Sequence, residues 1–177
     1  MQFETIGDIY EANESAARRF EEFVESLSEE QAARAPEGEK WSIAQIVEHV
    51  SLVDEGSVRI CAKLLSKAEA EGMGSDGRVE ISPDFFTKGE EIAKIKVEAP
   101  ERVHPNAGLM IRESLDRLRA SAESFKRLRP AFEEFDSRTH KFPHPYFDDI
   151  SAAEWLIVAA GHKARHLRQI QKLVGKM

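Results

Sequence analysis

The chain has 177 residues, 41% of them hydrophobic and 32% charged, and its 25 basic and 32 acidic side chains leave a formal net charge of −7. That length fits one domain spanning 1–177, and the hydrophobic share excludes wholesale disorder. The acidic balance argues against a broad electrostatic grip on nucleic acid or an anionic membrane, so neither is expected as a partner.

The single cysteine, Cys61, excludes an intramolecular disulfide and a Cys-rich zinc site, and fits a reducing, cytoplasmic setting. The opening residues lack the basic and apolar segments of a signal peptide. The longest strongly apolar run, Trp155–Gly161, is far too short to cross a bilayer.

In chain order, Ile6, Ile9, Tyr10, Ala16, Phe20, Phe23, Val24 and Leu27 recur at helical spacing and predict a first amphipathic helix. Ser28–Gln31 restarts a short helical turn, broken at Pro36-Glu37-Gly38. The second long helix opens on a capping box, with Ser42 as N-cap and Gln45 at N3, and Trp41 and Ile46 form a hydrophobic staple. Its stripe runs from Ile46 through Val53 and Cys61 to Leu65, which predicts about 28 residues and ~40 Å.

Glycines and prolines punctuate 72–105, read as a long connection with little regular structure. Ile111, Leu115, Leu118, Ala122, Phe125 and Leu128 predict a third long helix ended by Pro130. An aromatic loop, Phe132–Asp149, follows. The fourth long helix starts at a second capping box, Ser151 with Glu154, and runs to Val174, with Gly175 as stop signal. No strand pattern stands out. The fold class is therefore an all-α four-helix bundle. The connection of roughly 35 residues between helices two and three is long enough for those two to run parallel, which gives an up-down-down-up topology.

Helix four carries the most informative pattern. Its inward stripe reads Trp155, Ala159, His162, His166, Ile170 and Leu173, with Glu154, Lys163, Arg168, Gln171 and Lys172 assigned to other faces. Two imidazoles at i and i+4 can point at one ion. His49 borders the inward face of helix two, and antiparallel packing of helices two and four brings it to nearly the same depth. Three histidines at one level fit a divalent cation with an open position for water or substrate. Zn, Ni, Fe and Mn are all compatible. Gln45 and Gln169 are candidates to hydrogen-bond the ligand imidazoles, against plain capping and surface roles. Arg165, with Arg168, is a candidate to attract an anionic substrate, against a simple helix-dipole role. His144 is assigned to a structural loop, His104 and His140 to exposed loops, and Cys61, Trp41 and Trp155 to packing.

The segment Trp41-Ser42-Ile43-Ala44-Gln45-Ile46-Val47-Glu48-His49-Val50 resembles the helix-two signature of the DinB/YfiT-like metalloprotein superfamily. His144-Pro145-Tyr146-Phe147, Ser151–Trp155 and His162–Ile170 resemble its last helix and the approach to it. The resemblance implies the same up-down-down-up bundle, with a metal held by His49, His162 and His166. It implies frequent dimers, hence a homodimer here. It also implies small-molecule chemistry, in some members thiol-dependent S-transfer or isomerisation with a low-molecular-weight thiol. Asp148-Asp149 departs from the family's frequent Gly-Pro-like pair. The leading reading is a metal-dependent transferase or hydrolase. A non-catalytic bundle with a structural or absent metal is the first alternative. An interaction or stress-response protein with an apolar patch of Phe85, Phe86, Phe132 and Phe135 is the second.

Overall fold

A computed structural model describes residues 3–35, 38–95, 97–106 and 109–175, so the break assigned to Pro36 and Glu37 lies outside the described residues. Among these residues the chain forms α1 (Ile6–Glu25), α2 (Glu29–Ala33), α3 (Ile43–Ala70), α4 (Phe85–Lys94), α5 (Ile111–Glu134), β1 (Lys141–His144), β2 (Asp148–Ser151) and α6 (Ala152–Val174). A single 3-10 turn covers Glu101–Val103. Reciprocal capping boxes open four helices: Thr5 with Asp8, Ser28 with Gln31, Ser42 with Gln45 and Ser151 with Glu154. Each satisfies two N–H groups that the first turn leaves without helical partners.

The bundle consists of α1, α3, α5 and α6, and its core is split into two apolar clusters. One gathers Ile6, Ile9 and Tyr10 from the start of α1, Leu64 and Leu65 from the end of α3, Phe125 and Phe132 from the end of α5, and Trp155 and Leu156 from the start of α6. The other gathers Phe20 and Val24, Ile46 and Val50, Leu115 and Leu118, and Ile170 and Leu173 from the opposite ends. Hence α1 and α6 run one way, and α3 and α5 the other, which is the up-down-down-up arrangement. Between the clusters lies a buried polar layer of Asn13, Asp54, Ser57, Ser121 and Lys163.

Three sequence expectations need correction. The crossover from α3 to α5 is partly regular: it carries α4 and the 3-10 turn. Tertiary contacts rather than periodicity hold α4. Phe85 is buried against the ring of Phe147 at 4.9 Å, and the Arg165 guanidinium donates to the Ile92 and Ile95 carbonyls at its C-terminus.

Second, α5 does not stop at Pro130 but continues to Glu134. Proline's φ is compatible with a helix, and an exposed proline near the C-terminus deletes only one bond. The fully buried Phe132 favours the continued turn. Third, the aromatic loop contains a hairpin, with Lys141 opposite Ser151 and His144 opposite Asp148. Its strands have four residues each, and Pro143 within one of them masks the signal. Asp148 holds φ at +61° at the hairpin turn, a conformation glycine adopts more freely.

Among the described residues, the proposed phenylalanine patch does not form: Phe85 and Phe132 are buried, Phe135 is half-buried, and Phe86 is the exposed member.

Candidate metal centre

His49 sits in the second turn of α3, where the capping box fixes the helix start. His162 and His166 lie one turn apart on α6, facing it. Their Nε2 atoms converge: His49 to His162 at 3.2 Å and His162 to His166 at 3.1 Å. One nitrogen from each ring lies within 4.8 Å of the other two. The rings meet edge to face, with centroids 4.4 to 5.1 Å apart.

The outward nitrogens set the tautomers of two rings. His49 Nδ1 lies 2.8 Å from the Val103 carbonyl, and His166 Nδ1 lies 2.7 Å from Gln169 Oε1. Both oxygens only accept, so each Nδ1 carries the hydrogen and each neutral ring turns an Nε2 lone pair inward. Burial first, with His104 adding to it, holds the His49 pKa below its ordinary value against the opposing pull of the Val103 bond. Burial first, then the charge of His49, pushes His166 down to about 3. Burial, then His166 and His49, holds His162 well below the usual histidine range. At neutral pH the trio is therefore three uncharged imidazoles with facing lone pairs and at most one N–H to share.

That donor set fits a divalent cation. Two nitrogens each about 2.05 Å from one ion at a tetrahedral angle stand about 3.3 Å apart, close to the spacings found here. Neutral nitrogens need lose no proton to ligate.

The crossover closes over the His49 side. The 3-10 turn supplies the Val103 carbonyl, and buried Glu48, next to His49, accepts the Asn106 N–H at 2.9 Å. The Tyr146 hydroxyl donates to the Glu98 carbonyl, and His104 Nε2 donates to Ala99 at 2.8 Å. Trp41 packs on the His49 ring at 5.1 Å and meets His104 edge-on at 5.9 Å, so it braces a candidate ligand as well as the helix start.

Several assignments change. Gln45 is used by the α3 cap, where its Oε1 accepts the Ser42 N–H; among the described residues the hydrogen bonds of His49, His162 and His166 go to other partners. Arg165 is engaged with the end of α4 rather than free for a substrate, and burial lowers its pKa. His104 and His140 are half-buried, not exposed; His140 Nε2 stands 3.0 Å from the Glu71 carboxylate without hydrogen-bond alignment. Lys163 and Glu154, assigned to outer faces, are both buried. Lys163 lines a small cavity with Ala17, Asp54 and Leu118 from the other three helices, whereas His162 and His166 meet His49 of α3.

Other placements stand. His144 is at the hairpin, between the Trp155 and Phe147 rings at 5.0 Å each. Cys61 is a buried core residue whose thiol pKa burial raises. Sequence reasoning missed Glu48 and Val103: a carboxylate beside a histidine is common on helix surfaces, and a backbone carbonyl has no side-chain signature.

A family model described as the DinB superfamily matches residues 12–170. The chain belongs to the DinB superfamily. The chain is 23% identical over 162 residues to the uncharacterized protein YuaE of Bacillus subtilis strain 168, covering 87% of this chain and 90% of that one. It also resembles the crystal structure of TT2238, a four-helix bundle protein, with a TM-score of 0.59 and 23% identity over 95% of this chain and 99% of the other. That likeness concerns the fold. Among the described residues, no helix of this DinB-superfamily chain is long and apolar enough to cross a membrane.

Proposed function

We propose that this chain is a metal-dependent enzyme in which His49, His162 and His166 hold one divalent ion, drawn from Zn, Ni, Fe and Mn. The observation that carries the reading is the inward convergence of three neutral Nε2 atoms while two of the outward nitrogens are tied to Val103 and Gln169. A bound ion of this kind supplies Lewis acidity, which lowers the pKa of a water or thiol and provides a nucleophile at neutral pH.

The chain's own residues preorganise the site. Val103 and Gln169 fix two tautomers, and Trp41 limits rotation of the His49 ring. The reaction class proposed is thiol-dependent S-transfer or hydrolysis of a small molecule. A low-molecular-weight thiol as co-substrate and a homodimeric assembly belong to the same proposal.

Metal analysis of protein purified without added metal tests the site. His162→Ala is expected to lose the metal, and His144→Ala to keep it. Equal retention in both variants overturns the assignment. Turnover with and without added thiol then separates transfer from hydrolysis.

A further inference from the structure

We infer that Asp54 and Lys163 are positioning residues for the histidine trio: their buried ion pair sets the register of α3 on α6 at the level where the three imidazoles meet. The inference rests on the metal-centre reading above. Lys163 Nζ donates to Asp54 Oδ2 at 2.6 Å, and the two side chains are 2% and 3% exposed. Asp54 follows His49 by five residues, about 7.5 Å along α3, and Lys163 directly follows His162. The contact is thus made from the same two helices, within about a turn and a half of the proposed ligands.

Apolar packing alone holds register loosely, because burial is non-directional and cores repack around small shifts. Metal ligation is far stricter. Ligand distances tolerate about 0.2 Å, whereas a slip of one residue moves a helix about 1.5 Å.

The demand falls where apolar packing is interrupted, in the polar layer between the two clusters. Among the described residues, Asp54 Oδ1 is buried there without a hydrogen-bond partner, on the wall of a cavity of about 20 Å³ shared with Ala17, Phe20 and Leu118. Farther along, Cys61 Sγ also links the two helices, to the Ala152 carbonyl at 3.5 Å, a weak and soft contact. The short charge-assisted bond is the directional one. Net stability gives little reason for it, since apolar pairs of similar volume commonly do as well or better. Location beside the trio does give a reason.

The test separates register from stability. Asp54→Leu combined with Lys163→Met replaces the ion pair with apolar volume. Its metal-free melting temperature is compared with that of the unaltered chain. Zn(II) affinity is measured by chelator competition, and the ligand field by the Co(II) absorption spectrum.

The expected result is a melting temperature at or above the original, Zn(II) binding weaker by roughly tenfold or more, and an altered Co(II) spectrum. Should the double variant not fold, Asp54→Asn, which keeps the shape and removes the charge, is expected to melt lower because Lys163 loses its counter-charge, and to show the same weaker Zn(II) binding and altered Co(II) spectrum. A folded variant with the original Zn(II) affinity and Co(II) spectrum overturns this inference alone. An unaltered chain that takes up neither ion overturns the metal-centre reading and this inference with it.

Discussion

A histidine ring that accepts a backbone N–H cannot protonate that nitrogen without losing the bond. His144 Nδ1 accepts the Tyr146 N–H at 3.1 Å, and burial, with Arg102 second, lowers its pKa from 6.5 to about 4. The unfolded chain therefore takes up this proton first. The associated stability is fully present above pH 6.5 and is lost as pH falls toward 4, about 3 kcal/mol in all. In metal-free protein the trio, also depressed, adds to the same acid-side slope. Urea unfolding at stepped pH is expected to show a shallower slope between 6.5 and 4 for His144→Gln than for the original chain. An unchanged slope refutes the assignment to His144. Gln169 makes the second prediction at this scale. Gln169→Ala removes the acceptor that orients His166, and Zn(II) affinity is expected to fall by roughly 10-fold to 100-fold. Chelator competition measures it, and unchanged affinity counts against the orienting role.

Pro130 in α5 illustrates what patterning misses about an element. The helix crosses it at the cost of one backbone bond, on an exposed face where water reaches the freed Lys126 carbonyl. Pro130→Ala is expected to raise stability by about 1 kcal/mol, less than the roughly 3 kcal/mol of a buried mid-helix proline. A rise in melting temperature checks this, and a fall implies that chain stiffness in the unfolded state outweighs the missing bond. Elements whose signals are local were legible: the Ser42 and Ser151 capping boxes give the starts of α3 and α6 directly. Elements held by distant contacts were not. Nothing within 85–94 announces that Arg165 caps α4, or that Phe147 covers Phe85. The site divides the same way. The i,i+4 spacing of His162 and His166 and the depth of His49 pick out the residues that meet. The Lys163 position was misjudged because a lysine on a helix is ordinarily solvated, and its buried partner Asp54 comes from a helix over a hundred residues away. Asp148 gains meaning only from its positive φ, a conformation that glycine adopts more freely.

The whole molecule has two apolar clusters joined across a polar layer, so its cooperativity depends on what bridges that layer. The four long helices pass through both clusters, and the Asp54–Lys163 pair ties α3 to α6 between them. One unfolding transition is therefore expected. The chain provides its own reporters. Its two tryptophans stand at opposite ends, Trp41 against the cluster with Ile46 and Trp155 within the cluster with Leu156. Single-tryptophan variants, Trp41→Phe and Trp155→Phe, are expected to report coincident melting curves. Zn(II) adds a second condition. An ion held by His49 on α3 and by His162 and His166 on α6 binds the folded chain, since unfolding separates the helices. At a hundredfold excess over Kd it contributes about 2.7 kcal/mol, a rise of roughly 5–10 °C for a domain of this size. Both reporters are expected to shift together, and His162→Ala to shift neither. If Zn(II) moves only the Trp41 curve, the bundle ends unfold separately, and the polar layer is a boundary between two units rather than a seam within one.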